Sequence, residues 1–327
     1  MSTRLRPAWA VVGLALVLMV ASFALGGLPW NARGGRAAPR EPVQVVTSTS
    51  VFADLIANVG GERVRVVPLL GRGTDPHAWE PTSRDIRALN TADMFIYNGL
   101  GLEPWAPRLV ASAGRPDLVV LELAAGLAPE PAEHDDHDVT WAHEHAAGGG
   151  AGHGDPAGVN PHLWLDVTYA IQYVRRIEQA LASRDPEGAQ YYRARADAYV
   201  AELEELDRWF QAQMRRIPPE RRVLITYHNA YAYMAERYGL ELAGSLVQSP
   251  DHEPSAQVMA RLVRVMREKR VPAVFVEPQI NPRFAEALAA EAGARIGVLY
   301  TDSLTDDVPS YIAMMRANAE TLVALLE

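Results

Sequence analysis

From Val43 to the C-terminus, short runs of β-branched and aromatic residues alternate with stretches whose apolar positions recur every three or four residues. That switching between extended apolar runs and a period near 3.6 predicts a parallel-sheet α/β fold. In the first half the predicted strands are 43–47, 64–68, 94–97 and 118–121, separated by helices near 52–59, 84–90 and 105–113. After a break the rhythm resumes, with predicted strands at 223–226, 240–243, 273–276 and 296–299 and helices around 230–238, 256–269, 282–292 and 309–326. Four strands in each half imply two similar lobes.

Between the halves lies one long helical pattern. Asp185-Pro186 reads as its N-cap with Pro in the first turn, and Pro218-Pro219 ends it. Tyr192, Ala196, Tyr199, Leu203, Leu206 and Phe210 share one face at spacings of three and four, while the acidic face stays wet. A helix over 186–214 would be roughly 43 Å long at ~1.5 Å per residue, long enough to run the length of a domain and stiffer than a flexible linker. The expected architecture is therefore α/β, with two lobes, each a four-stranded mainly parallel sheet with flanking helices, joined by one long helix. The boundaries expected are 43–184 for the N-terminal lobe, 185–217 for the linking helix and 218–327 for the C-terminal lobe.

Ahead of the folded part, Arg4 and Arg6 precede an uncharged stretch over 7–32 with an apolar heart at 8–28. A cationic start followed by such a run predicts a secretion signal or a membrane anchor over residues 1–30, since about 20 apolar residues span a bilayer. Residues 31–42, rich in Gly, Pro and Arg, read as a flexible tether. The working part is thus expected outside the cytoplasm.

Composition narrows the function. The net charge of −9 argues against a nucleic-acid partner, which would need a basic surface. The absence of Cys excludes a disulfide scaffold, thiolate metal ligands, a Cys nucleophile and a lipid-modified Cys near the start. The chain is expected to work as a monomer.

Histidine carries the chemical information. Five of the nine, His134, His137, His143, His145 and His153, crowd a Gly-rich acidic loop over 133–154 without periodicity. Neutral imidazoles beside carboxylates suit auxiliary, weaker metal capture. His77 in Asp-Pro-His-Ala-Trp, His162 in Asn-Pro-His-Leu-Trp and His228 in Thr-Tyr-His-Asn follow strands or loop punctuation rather than sitting on apolar faces, and Asp302 in Thr-Asp-Ser-Leu follows the last predicted strand. Ligands of open α/β sheets gather beyond the carboxyl ends of strands, so these four positions can converge if the lobes face each other. His252, beside Glu253-Pro254, reads as a surface residue.

These words together resemble the ZnuA-like solute-binding proteins of zinc and manganese ABC importers, over almost the whole chain from Val43. Further matching phrases are Gly99-Leu100-Gly101-Leu102-Glu103-Pro104-Trp105, Glu253-Pro254-Ser255 and Val276-Glu277-Pro278-Gln279. The resemblance implies one metal held by His77, His162, His228 and Asp302, an acidic His-rich loop typical of the zinc branch, and delivery to a membrane permease with its own ATPase.

Three imidazoles and one carboxylate form a nitrogen-rich donor set that suits zinc, whereas manganese prefers more oxygen. Manganese-type relatives tend to carry Glu at the third position, where this chain has His228, so zinc is expected, with manganese as the alternative. Glu277, Asp166 and Glu80 are candidates to support the ligands from behind. An exported zinc hydrolase is the rival class. It would keep a coordination position open for water, and the chain has neither a His-Glu-x-x-His helix nor a Gly-x-Ser-x-Gly elbow. A surface adhesin role is compatible with the same fold.

Overall fold

The computed structural model describes residues 41–127 and 159–327. The expected leader, nearly all of the tether, and the His-rich loop with His134, His137, His143, His145 and His153 lie outside the described residues. Among the described residues no helix is long and apolar enough to cross a membrane.

The first lobe holds β1 (Val43–Thr47), α1 (Ser50–Gly60), β2 (Val64–Pro68), α2 (Ser83–Thr91), β3 (Met94–Tyr97), α3 (Ala106–Ala113) and β4 (Val119–Glu122). Two helices follow, α4 (Val167–Arg184) and α5 (Ala189–Met214). The second lobe holds β5 (Val223–His228), α6 (Ala232–Tyr238), β6 (Glu241–Val247), α7 (Ala256–Lys269), β7 (Ala273–Val276), α8 (Arg283–Ala292), β8 (Arg295–Val298) and α9 (Tyr311–Leu326). Helix starts follow local chemistry: Thr82 and Asp85 form a capping box on α2, and Asp166, Ser255 and Ser310 cap α4, α7 and α9.

Both sheets are parallel throughout. Their orders, β2-β1-β3-β4 and β6-β5-β7-β8, are the same topology repeated, each with its switch point between the first and third strand of the lobe. Alternate strand residues serve different layers, because successive side chains point to opposite faces. Val46 and Phe95 pack outward with Trp105 and Leu118, while Val45 and Ile96 face a common interior. In the second lobe Val274 packs outward with Leu262 and Leu288, and Phe275 faces inward.

The inward faces meet in one continuous core. It joins Phe52 of α1, Tyr173 of α4, Tyr199 and Phe210 of α5, Tyr231 and Tyr311 without interruption between the lobes. All six apolar positions expected on the long helix are buried. At ~1.5 Å per residue the 26 residues of α5 span about 39 Å. Burying a large apolar side chain contributes roughly 1.5–3 kcal/mol, so parting the lobes through this core would cost many such contacts.

Two sequence expectations need correction. Asp185 does not cap α5, which starts four residues later, after the 3₁₀ turn Pro186–Gly188. The Asp185 carboxylate instead accepts from Arg63 Nε and Nη2 at 3.0 and 2.7 Å and from the Tyr192 hydroxyl at 2.8 Å, tying the start of the long helix to the first lobe. In addition, a second long helix, α4, precedes α5, with Ala170, Tyr173, Val174, Ile177 and Leu181 buried at helical spacing.

Candidate metal centre

Three of the four expected residues, His77, His228 and Asp302, end or follow a strand, and His162 stands ahead of α4. His77 is in the β2–α2 loop, His162 precedes the 3₁₀ turn Leu163–Leu165 that leads into α4, and Asp302 is in the β8–α9 loop. His228 is the last residue of β5 rather than a residue just beyond it, because the strand runs two residues further than its pattern suggests. The two Asx-Pro-His words fold alike. Asp75 Oδ1 accepts from the His77 amide at 2.9 Å, and Asn160 Oδ1 accepts from the His162 amide at 3.0 Å. Proline between them has a fixed φ and no N–H of its own, so the turn closes on the histidine amide.

The fold brings the four side chains to one point. One ligand atom from each lies within 4.8 Å of every other. His162 Nε2 and His228 Nε2 are 3.3 Å apart, and the nearest Asp302 oxygens are 3.3 Å from His162 Nε2, 3.8 Å from His77 Nε2 and 4.0 Å from His228 Nε2. Tetrahedral zinc with donors at about 2.0–2.2 Å sets neighbouring donors roughly 3.3–3.6 Å apart. His162, His228 and Asp302 are buried and His77 nearly so. His77 Nε2 and both Asp302 oxygens are buried without a hydrogen-bond partner, which is costly unless a cation satisfies them.

Ring orientation is set from behind. His162 Nδ1 lies 2.8 Å from Asn160 Oδ1, and His228 Nδ1 lies 2.7 Å from Glu277 Oε1. The Asn160 acceptor places the His162 proton at Nδ1 and leaves its Nε2 lone pair facing inward, while the Glu277 carboxylate stands beside His228 Nδ1 as an ion-pair partner. Tyr231 donates to Glu277 Oε1 at 3.2 Å and holds it in turn. With Asp302 and Glu277, two carboxylates stand against the charge of a divalent cation.

Burial pushes the His77 ring down to about 3 and also lowers His162, so both are neutral at pH 7. For His228 burial opposes protonation, but Glu277 and Asp302 overcome it and lift the ring to about 9. Burial alone would raise Asp302; the three surrounding imidazoles hold it well below the usual carboxylate range. Asp75 is pushed up to about 6 by burial and by the Asp302 charge.

Of the three residues expected to support the ligands, Glu277 does so directly. Asp166 instead caps α4 by accepting from the Thr168 amide, and Glu80 is an exposed partner of Arg108 on the rim of a cleft. This cleft of about 650 Å³ leads from His77 and His162 to solvent between Asn160, Asn229 and Gln248, and exposed His252 lies on its edge. Asn160 escaped the sequence reading. Its signal was the Asx-Pro-His turn itself, which places an acceptor beside the histidine two residues on.

Two similar α/β lobes joined by a shared core, with a buried cluster of three imidazoles and a carboxylate able to hold a metal ion, have the form of a metal-binding receptor. The chain belongs to the ZnuA family: the family profile described as "Zinc-uptake complex component A periplasmic" matches residues 45–325. Among curated relatives, the manganese-binding lipoprotein MntA of Halalkalibacterium halodurans is 35% identical over 87% of this chain and 88% of its own length. The high-affinity zinc uptake system protein ZnuA of Bacillus subtilis is 29% identical over 89% of this chain and 90% of its own. Among solved structures, the periplasmic zinc-binding protein TroA of Treponema pallidum matches with a TM-score of 0.74 and 28% identity, covering 87% of this chain and 99% of that one. A manganese-bound periplasmic metal-binding protein from Candidatus Liberibacter asiaticus matches with a TM-score of 0.71 and 25% identity, covering 87% and 100%. The protein is accordingly a metal-binding receptor of an ABC importer and not an enzyme.

Proposed function

We propose that this receptor carries zinc, held by His77, His162, His228 and Asp302, and hands it outside the cytoplasm to a permease driven by its own ATPase. The observation that supports it most is the convergence of three buried Nε2 atoms on one carboxylate, with the His77 nitrogen and both carboxylate oxygens otherwise unsatisfied. Four protein donors leave no open position for an activated water. The shared core supports a carrier that binds as a monomer by small rearrangements of a prearranged site, at little ordering cost. The absence of Cys means that the lipid attachment implied by the word lipoprotein in relatives' names does not carry over by way of a Cys here.

Manganese is the second reading, favoured by the name of the 35% identical relative. Affinity alone does not separate the two, since a given nitrogen and oxygen site binds zinc more tightly than manganese in the general order of divalent metals. The deciding experiment is uptake of radiolabelled zinc and manganese by cells with and without this chain, at equal external metal. Loss of zinc uptake alone supports the proposal; loss of manganese uptake alone overturns it.

A further inference from the structure

The loop from Asn98 to Trp105, between β3 and α3, holds the backbone next to both histidines of the first lobe. Asn98 Nδ2 donates to the Pro161 carbonyl at 2.9 Å, and Trp105 Nε1 donates to the Pro76 carbonyl at 3.1 Å. In each case the acceptor belongs to the proline immediately before a proposed ligand, His162 or His77. A proline offers no N–H, so its carbonyl is the one backbone polar group of that residue by which the turn can be held.

The loop is itself wrapped around one carboxylate. Glu103 is buried, its Oε1 accepting from the Ser48 hydroxyl at 2.6 Å and the Asn98 amide at 3.1 Å, and its Oε2 from the Gly99 amide at 3.0 Å. Gly99, Leu100 and Gly101 all have positive φ, of 86°, 53° and 82°. Leu100 carries a side chain in a region that L-residues disfavour, so the contacts of the loop must offset that strain. At Gly99 the need for glycine is also steric, because a Cβ there would lie 2.0 Å from Glu122 Oε1. Both arms are braced. The Tyr173 hydroxyl donates to Asn98 Oδ1 at 2.6 Å, and Trp105 packs edge-on against Trp79 with ring centres 4.6 Å apart.

We propose that this loop is a preorganising platform for the metal centre, in which Asn98 sets His162, Trp105 sets His77, and Glu103 is the positioning residue that joins the two arms. The inference rests on the reading of His77 and His162 as ligands. A four-donor site loses affinity when its donors drift by about half an ångström, so rigid support of the ligand turns is part of what such a site requires.

The test is a pair of double-mutant cycles on the full chain, read as zinc affinity by chelator competition. Trp105→Phe removes the indole N–H and keeps most of the ring packing; Asn98→Asp keeps the acceptor for Tyr173 and removes the donor to Pro161. Trp105→Phe is expected to weaken zinc about tenfold, the low end of what loss of a supporting partner costs. That loss should vanish when His77→Ala is already present and persist beside His162→Ala. Asn98→Asp should show the reverse dependence, and Glu103→Gln should weaken binding in either background. Should Asn98→Asp not fold, the Trp105→Phe cycle decides alone. An unchanged affinity for Trp105→Phe, or an equal cost in both backgrounds, overturns the platform. If His77→Ala and His162→Ala themselves leave affinity unchanged, the ligand assignment fails and the platform with it; if they lower it while Trp105→Phe does not, the platform alone fails.

Discussion

Asn160 and Asn229 close the metal centre from opposite lobes. Asn160 Nδ2 donates to the Asn229 carbonyl at 2.6 Å, while its own Oδ1 accepts from the backbone amide of His162 and faces the His162 ring nitrogen. One amide side chain therefore ties ring orientation to lobe closure. On the other side of the site the lobes are pinned many times. The Leu304 amide donates to Ser50 Oγ at 2.9 Å, the Gly73 amide donates to Ser303 Oγ at 2.7 Å, and Arg72 donates to the carbonyls of Thr305 and Pro309. Asn160, whose carbonyl also accepts from the Tyr233 hydroxyl at 3.0 Å, borders the cleft to solvent.

Asn160→Ala is accordingly expected to weaken zinc by roughly 10- to 100-fold, chiefly through faster release. Asn160→Asp keeps an acceptor at His162 but sets two acceptors against each other at Asn229, so release should quicken with a smaller loss of affinity. Stopped-flow release into a chelator measures both. Release rates equal to that of the unmodified chain would show that the Asn160 bridge does not control opening.

The ligand set predicts a sharp hierarchy. If a tetrahedral zinc site is worth on the order of 10–16 kcal/mol, one ligand of four is worth about 2.5–4 kcal/mol, or roughly 60-fold and upward in affinity. His77→Ala, His162→Ala, His228→Ala and Asp302→Ala should each lose that much, and Glu277→Gln about 10- to 100-fold through His228. Exposed His252→Ala should change nothing. A competition titration in which His252→Ala matches the ligand variants would remove the assignment.

Acid should weaken binding by one proton, not three. His77 and His162 are already neutral at pH 7, so protons do not compete for them there. His228 takes up a proton with a midpoint of about 9 and must lose it from the metal side to bind. Its protonated fraction saturates below that midpoint, so apparent affinity should fall about tenfold for each unit of pH from 9 down to 5 and level off above 9. A sequence-based expectation that three ordinary histidines titrate together between about 7 and 5 gives a steeper curve over a narrower range. Zinc affinity measured against a pH-corrected competitor separates the two slopes, and a flat profile would contradict both.

Removal of residues 133–154 should leave the tight site intact and abolish additional weak zinc equivalents carried by His134, His137, His143, His145 and His153. Closure entropy varies only slowly with loop length, so shortening the connection costs little. Calorimetry of the shortened chain should show a single zinc bound. Unchanged stoichiometry, or loss of the tight site, would count against auxiliary binding by this segment.

Much of the architecture was legible along the chain because periodicity is a local property. The eight strands appear where apolar runs of four or five residues stand between turn signals, and the buried face of α5 follows from Tyr192, Ala196, Tyr199, Leu203, Leu206 and Phe210 alone. Boundaries differ where packing overrules pattern, as at β5, whose last two residues are buried by tertiary contacts rather than marked by alternation: Tyr227 in the outer core of the second lobe, His228 against His77, His162 and Glu277. Asp185 misled because an Asp-Pro pair is a good cap locally, yet Arg63, 122 positions away, claims its carboxylate more strongly.

By itself the sequence determined which residue types were available for metal chemistry and where they stood: His77 and His162 in Asx-Pro-His turns, His228 and Asp302 after predicted strands. Only the tertiary structure decided that they meet, since separations of dozens of residues are bridged by the repeated topology and the spine of α5, not by any local preference. It also decided their protonation. Burial strips the charge from His77 and His162 while Glu277, brought in on β7's far end, keeps a proton on His228. Such shifts depend on solvent exclusion and on charges a few ångströms away, and neither exists until the chain has folded.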